Sequence, residues 1–145
     1  MTGSGPRSEW PDEAPDTRDA ATFRVLIAED NDDVRDLTVR MLNRLGRFEV
    51  DEAEDGEKAL DALAVRRYDL LLLDLSMPKV SGLEVVRWLE AHPDHLEGLT
   101  VAVLSASAHV ERPTLNELGV RFVISKPIRL QQLKELLDEV RDRSD

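Results

Sequence analysis

The sequence predicts an α/β protein, in which a doubly wound, five-stranded parallel sheet carries helices on both faces. Segments with strand patterns and segments with helix patterns alternate five times from residue 23 onward. Such repeats need right-handed crossovers and give a parallel sheet. The strand segments are continuous apolar runs, such as the leucines at 70–73, as expected for parallel strands that are covered on both faces.

Two strand–helix units and a third strand make up the first half of this pattern. The first strand is predicted for FRVLIAED, and the helix that follows it for NDDVRDLTVRMLNRLG, with Gly46 as its C-terminal cap. RFEVDEA is the second strand, Asp55 can cap the second helix, and YDLLLLD is the third strand. The predicted apolar face of the first helix consists of Val34, Leu37, Met41, Leu42 and Leu45.

The second half continues the alternation. Gly82 opens the third helix, and His92-Pro93 ends it. The fourth strand is LTVAVLS, followed by a short helical segment, RPTLNELG, with Pro113 in its first turn. VRFVIS is the fifth strand, and a last amphipathic helix runs from Ile128 to Arg143. Small sheets of this kind commonly have the flavodoxin-like strand order 2-1-3-4-5, with function at the carboxyl ends of the strands near strands 1 and 3.

Composition limits the classes of function. The net charge of −11 opposes direct binding to nucleic acid, and the absence of cysteine excludes disulfides and thiolate metal sites. No apolar run approaches the roughly 20 residues that span a bilayer, so we expect a cytoplasmic location without membrane insertion. Residues 1–22 are acidic and proline-rich, which predicts a flexible tail before a domain at 23–143. Trp10 in this tail could dock onto the domain or onto a partner.

Polar side chains end four of the five strands at the same edge of the predicted sheet. They are Glu29 and Asp30 after strand 1, Asp74 after strand 3, Ser105 after strand 4 and Lys126 after strand 5. Clustered carboxylates repel one another, so a cation must offset them, and Mg²⁺ prefers such oxygen ligands. A phosphoryl group would suit the remaining position, with Asp74 as a nucleophile that forms an acyl phosphate.

These residues resemble the receiver domain of bacterial two-component response regulators. The matching motifs are Glu29-Asp30, the segment DLSMPKVSGLE that begins at Asp74, Ser105-Ala106 and Lys126-Pro127. The ordered set and its spacing agree with the family over about residues 23–142. Each motif is weak by itself, whereas the combination is specific.

The resemblance implies that Asp74 accepts a phosphoryl group from a phosphohistidine of a sensor histidine kinase or a histidine phosphotransfer protein. The implied Mg²⁺ ligands are Asp30, Asp74, the backbone carbonyl of Ser76, and Glu29 directly or through water. Lys126 would pair with the phosphoryl oxygens, and Ser105 would form a hydrogen bond to them. The Lys126-Pro127 sequence permits the cis peptide bond that the family has at this position.

The sequence departs from the family at the positions that couple phosphorylation to output. Receivers commonly have an aromatic residue three positions before the lysine, where this chain has Val123, with Phe122 one residue earlier. Val123 has too little volume to signal phosphorylation by a change of rotamer, as the aromatic ring does.

Two further positions bear on the lifetime of the phosphorylated form. The positions that flank the attacking water in the family hold Ser76 and Ser107, which neither shield the acyl phosphate nor orient water strongly. We therefore expect a phosphorylated form that lasts at least minutes.

The resemblance also sets expectations about partners. The last helix ends at RDRSD, so the chain resembles a stand-alone receiver, although a piece of a longer protein would look the same. A stand-alone receiver acts by docking to a downstream protein, by onward phosphotransfer, or through a homodimer that forms on phosphorylation. We expect no enzymatic activity beyond removal of its own phosphoryl group.

There are three alternatives to a phosphoacceptor. A receiver-like interaction module that is never phosphorylated would fit the missing aromatic residue, but not the complete set of site residues. An aspartate-nucleophile phosphatase of the haloacid dehalogenase type usually has a second aspartate where this chain has Ser76. A nucleotide-binding protein is disfavoured because no glycine-rich phosphate loop follows strand 1.

Overall fold

The computed structural model describes residues 22–144, and it confirms the predicted fold class. The strands are β1 (Arg24–Ala28), β2 (Glu49–Ala53), β3 (Leu70–Asp74), β4 (Thr100–Ser105) and β5 (Phe122–Ser125). The helices are α1 (Asp32–Leu45), α2 (Gly56–Val65), α3 (Gly82–Ala91), α4 (Pro93–Leu96), α5 (Ala108–Glu117) and α6 (Leu130–Ser144). All strand pairs are parallel, in the order β2-β1-β3-β4-β5. The predicted tail with Trp10 lies outside the described residues, except for Thr22.

The sheet separates two apolar cores, and the four leucines of β3 contribute to both. Leu70 and Leu72 pack with side chains of α1 and α6, whereas Leu71 and Leu73 pack with those of α2, α3 and α5. All four are fully buried. Side chains of a strand alternate between faces, so only a continuous apolar run can fill both cores. Burial of each leucine contributes roughly 2 kcal/mol. No described helix is both long and apolar enough to cross a membrane.

Side-chain caps start three helices soon after the strands that precede them. Asn31 accepts a hydrogen bond from the Val34 N–H at the start of α1, and Ser81 does the same for α3. Asp55 caps α2, as predicted, by accepting from the Lys58 N–H at 2.8 Å. These bonds satisfy N–H groups that the helices leave free. The connections stay short, which holds the strand ends at one edge.

The predicted position of Pro113 is wrong. The helix α5 begins at Ala108, so Pro113 lies inside it rather than in its first turn. An interior proline costs about 3 kcal/mol because it removes a helical hydrogen bond and crowds the preceding turn. Ala108 and Leu115 are both buried against the core, on either side of the proline. This packing extends the helix beyond the segment that local sequence signals delimit.

The predicted apolar face of α1 is also partly wrong. Val34 and Leu37 are 36% and 55% exposed, and the buried residues of the helix are Thr38 and Leu42. The Thr38 hydroxyl donates to the Val34 carbonyl at 2.9 Å. Because that hydroxyl has its partner within the helix, Thr38 can be buried at little cost. The last helix also differs slightly from its predicted bounds, beginning at Leu130 rather than Ile128.

Gly82 allows α3 to start directly against the end of β3. Its N–H donates to the Leu75 carbonyl at 2.9 Å. A Cβ atom at this position would lie 2.5 Å from the Asp74 carbonyl oxygen and 2.7 Å from the Leu75 Cα. Both neighbours are backbone atoms, which cannot rotate away. The position therefore requires glycine for close packing.

We expect Gly82→Ala to lower the free energy of unfolding by about 1–3 kcal/mol, because the methyl group forces the two backbones apart. Gly46→Ala is the matched control. Gly46 is extended, and its nearest contacts are the movable side chains of Phe48 and Arg141. The control should change stability by less than about 1 kcal/mol in urea denaturation. Equal effects of the two variants would contradict the close-packing explanation.

Candidate functional site

Three carboxylates meet at the carboxyl edge of the sheet, where β1 and β3 end. Glu29, Asp30 and Asp74 each place an oxygen atom within 4.8 Å of the others. Glu29 and Asp74 are 3% and 1% exposed, whereas Asp30 is exposed. The structure therefore brings together the three acids that the sequence places at these strand ends. Two of them are removed from water, which strengthens their mutual repulsion.

Lys126 supplies the positive charge that faces this cluster. Its Nζ lies 3.2 Å from Asp74 Oδ1 and 3.8 Å from Glu29 Oε1. The Lys126 N–H donates to the Ser105 carbonyl, and the peptide bond to Pro127 is cis. One ammonium group offsets only part of the charge of three carboxylates. The cluster therefore keeps negative charge that a further cation could offset.

The backbone donates a hydrogen bond to one oxygen of each buried carboxylate and none to the other oxygen. The Asn31 N–H donates to Glu29 Oε2 at 3.0 Å, and the Ser76 N–H donates to Asp74 Oδ1 at 3.2 Å. Glu29 Oε1 and Asp74 Oδ2 are buried without a hydrogen-bond partner. Buried polar atoms are normally paired, so these two oxygens fit a role in holding a cation. Carboxylate oxygens are the ligands of hard divalent ions such as Mg²⁺, and this donor set fits that ion.

Ser105 ends β4, the strand between those of Asp74 and Lys126. It is 4% exposed, and its Oγ accepts a hydrogen bond from the Ser107 N–H at 3.0 Å. Ser76 and Ser107 are themselves exposed, in the loops that follow β3 and β4. The N–H of Ser107, just before α5, thus holds the Ser105 hydroxyl oxygen in place.

The two residues near the position usually held by an aromatic ring lie on opposite faces of the sheet. Val123 is buried in the core beneath α5, whereas Phe122 packs against the core of α1 and α6. Arg121 stacks over the Phe122 ring at 5.0 Å. On the other face, Arg112 of α5 donates to the Val123 carbonyl at 2.6 Å. Phe122 therefore cannot replace the missing aromatic side chain next to α5.

Burial perturbs the carboxyl group of Glu29. The pKa of Glu29 is raised from 4.5 to about 7, mainly by desolvation on burial and to a smaller extent by the nearby charge of Asp74. The hydrogen bond from the Asn31 N–H and the charge of Lys126 oppose this shift. Without a metal ion, Glu29 thus holds a proton at mildly acidic pH. A bound cation would compete with that proton.

Sequence reasoning missed Arg35 as a support of the site. Its guanidinium donates to the Glu29 carbonyl at 2.7 Å and pairs with Asp32 and Glu52. Arg35 ties the end of β1 to α1 and β2, which holds the backbone of Glu29 in place. No local pattern distinguishes this arginine from the other charged residues of α1.

Comparisons with known proteins agree with this geometry. The model of the response regulator receiver domain matches residues 25–138. The chemotaxis protein CheY homolog of Campylobacter jejuni is 32% identical over 119 residues, which are 81% of this chain and 92% of that protein. Sensor protein EvgS of Escherichia coli O157:H7 is 39% identical over 118 residues, 80% of this chain, and the chain spans only 9% of EvgS.

A solved structure extends the comparison to three dimensions. The response regulator protein TrrA of Thermotoga maritima, crystallised in complex with Mg²⁺-BeF, has a TM-score of 0.71 and 30% identity. The match covers 81% of this chain and 98% of that one. The fold and the site define a receiver domain, and the chain belongs to the response regulator receiver domain family.

The raised pKa of Glu29 predicts how stability depends on pH in EDTA. Between pH 4.5 and about 7 the folded state keeps a proton that the unfolded state has released. The contribution of Glu29 to the free energy of unfolding is therefore complete below pH 4.5 and is lost as the pH rises to about 7. The loss should be on the order of 1–3 kcal/mol.

The variant Glu29→Gln should flatten this part of the stability curve, measured by urea denaturation at several pH values. Glu117→Gln, at an exposed position of α5, is the control and should retain the slope. A slope that persists in Glu29→Gln would assign it to other groups.

Proposed function

We propose that this receiver is a phosphoacceptor, in which Asp74 takes a phosphoryl group from a phosphohistidine of a sensor histidine kinase or a histidine phosphotransfer protein. The observation that carries the proposal is the environment of Asp74. Its carboxylate is buried, contacts Lys126 at 3.2 Å, and has one oxygen, Oδ2, without a partner. This oxygen has lone pairs available for a new bond.

In the proposed transfer, an Asp74 oxygen forms a bond to phosphorus while the phosphorus–nitrogen bond of the donor breaks. The imidazole nitrogen keeps the electron pair of that bond and takes up a proton from solvent. Transfer of this kind depends on positioning and on neutralisation of the charge of the phosphoryl oxygens. Lys126 is close enough to provide part of that neutralisation. The Ser105 hydroxyl would then donate a hydrogen bond to a phosphoryl oxygen.

The same proposal assigns Mg²⁺ to the acidic cluster. Glu29, Asp30, Asp74 and the backbone carbonyl of Ser76 would hold the ion, with Glu29 binding directly or through water. When bound, Mg²⁺ supplies positive charge next to the phosphoryl oxygens. Support comes from the two unpartnered buried oxygens and from TrrA, a family member crystallised with Mg²⁺-BeF.

Signalling by this chain would depend on other proteins. A sensor kinase or phosphotransfer protein supplies the phosphoryl group, and a downstream protein binds the phosphorylated form or receives the group in turn. A homodimer that forms on phosphorylation is an alternative output. We place these events in the cytoplasm, with no direct contact to nucleic acid, and assign no enzymatic activity beyond removal of the chain's own phosphoryl group.

One observation favours a second candidate, an interaction module of receiver fold that is never phosphorylated. Of the two residues, Val123 faces α5 and Phe122 faces the opposite core, so neither places an aromatic ring next to α5. The complete set of Glu29, Asp30 and Asp74 together with Lys126 has no purpose in such a module. A phosphorylation assay separates the two candidates.

We expect acetyl phosphate and Mg²⁺ to add one phosphoryl mass to the chain, and Asp74→Asn to abolish the addition. EDTA should prevent it because the repulsion between the anionic site and the donor would not be offset. Asp33→Asn is the matched control, since Asp33 is an exposed aspartate in the first turn of α1. Intact-mass spectrometry gives the measurement. Labelling that survives in Asp74→Asn, or an unlabelled wild-type chain, would reject the proposed phosphoacceptor.

We also expect the combined variant Ser76→Asn with Ser107→Glu to speed loss of the phosphoryl group roughly ten-fold, or about 1.4 kcal/mol off the barrier. An amide and an acid at these exposed positions can orient the attacking water better than two hydroxyl groups. The measurement is decay of the phosphorylated mass after the donor is removed. The combined variant Ser76→Ala with Ser107→Ala is the control and should not accelerate decay. Equal decay in the two combined variants would show that these positions do not control the lifetime.

A further inference from the structure

Three aromatic rings cluster at the corner between α3 and α4, away from the acidic site. The ring of Trp88 stacks on His92 with centroids 4.3 Å apart, and lies 5.1 Å from the ring of His95. The two imidazole centroids are 6.3 Å apart. His92 is exposed and His95 is half-buried. The corner follows α3, which runs from the carboxyl edge of β3 back toward the start of β4, so it lies at the opposite edge of the sheet.

Hydrogen bonds set the same tautomer in both histidines. Nδ1 of His92 lies 2.7 Å from the Trp88 carbonyl oxygen, and Nδ1 of His95 lies 3.2 Å from the Leu63 carbonyl oxygen. A carbonyl oxygen only accepts, so each Nδ1 carries the proton. In the neutral rings each Nε2 therefore presents a lone pair. This arrangement, with one ring nitrogen donating to a carbonyl and the other free, is the one that histidine ligands of metals adopt.

The separation of the rings is within reach of one ion. A metal bound to two imidazoles at about 2.0–2.1 Å from each nitrogen holds the ring centroids at most about 6.4 Å apart, and about 5 Å apart at a tetrahedral angle. The observed 6.3 Å thus needs a closure of about 1 Å for a tetrahedral site. The helix α4 is short and its side chains are not fully buried, so a small movement meets little resistance.

We propose that His92 and His95 bind a divalent transition-metal ion that prefers imidazole, such as Cu²⁺, Ni²⁺ or Zn²⁺. Imidazole is a good ligand for these ions, and among them we expect Cu²⁺ to bind most tightly. Among the residues that the structure describes, the only group of three or more histidine or acidic side chains close enough to share a metal ion is Glu29, Asp30 and Asp74. The two histidines therefore have no third protein ligand among the described residues. Water molecules therefore complete the coordination at the His92–His95 site, and its affinity is lower than that of a closed structural zinc site.

Trp88 makes the site measurable. The chain has two tryptophans, so Trp10→Phe leaves Trp88 as the only one. In this background we would titrate Cu²⁺ with excess Mg²⁺ present, which competes for the acidic site, and follow quenching of Trp88 fluorescence. Calorimetry under the same conditions gives the stoichiometry. The expected result is one ion per chain with quenching.

His92→Gln and His95→Gln should each weaken Cu²⁺ binding at least about ten-fold, since even loss of a residue behind a ligand typically costs ten- to a hundred-fold. His109→Gln is the matched control, because His109 is an exposed histidine on α5 outside the cluster, and it should bind like its parent. The double variant His92→Gln with His95→Gln should lose the quenching.

Binding that survives in the double variant, or that weakens equally in His109→Gln, would overturn the proposal. So would an affinity that falls in only one of the single variants, since that would indicate a single-histidine contact. Phosphorylation plays no part in this test, so its outcome is independent of the function proposed for Asp74.

Discussion

Repulsion among three carboxylates at one edge of the sheet is the constraint on which the rest of the structure depends. Glu29 and Asp74 are buried and lie beside Asp30 within 4.8 Å. The ammonium group of Lys126 lies within 3.8 Å of both buried carboxylates and offsets part of their charge. Such an arrangement costs free energy, and it persists only because the packed structure around it holds the acids in place. Burial and, to a smaller extent, the charge of Asp74 raise the pKa of Glu29.

The fold provides that rigidity through backbone contacts. The apolar cores on both faces fix β1 and β3, and Gly82 lets α3 pack against the end of β3 without a side chain between them. Backbone N–H groups hold one oxygen of each buried acid, and Arg35 holds the Glu29 carbonyl. Positions set by packed backbone vary less than positions set by long side chains. The end of a buried parallel sheet is therefore a suitable place for a site that depends on accurately positioned charges.

Sequence reasoning recovered the features that follow from periodicity, and missed those that depend on tertiary packing. Apolar strands, the order of the sheet and the convergence of the acids all follow from alternation and from the rule for strand ends. The interior position of Pro113 does not, because burial of Ala108 and Leu115 overrides a local stop signal. Thr38 was missed on α1 because its burial depends on a hydrogen bond within the helix. The roles assigned to the site residues stay predictions, since they concern chemistry rather than position.

The side chains of β5 alternate between the two faces of the sheet, and this determines which of them lie next to α5. Phe122 and Val123 point to opposite cores, and a shift of one residue along a strand exchanges the faces. The aromatic ring is therefore on the side of α6, away from α5. Two polar contacts connect α5 to its neighbours instead, from the Ser107 N–H to Ser105 Oγ and from Arg112 to the Val123 carbonyl. A change of the Ser105 side-chain rotamer that moved Oγ toward a new partner would remove the acceptor of the Ser107 N–H. The backbone at the start of α5 would then need another acceptor, and neither Phe122 nor Val123 offers an aromatic ring on that side of β5.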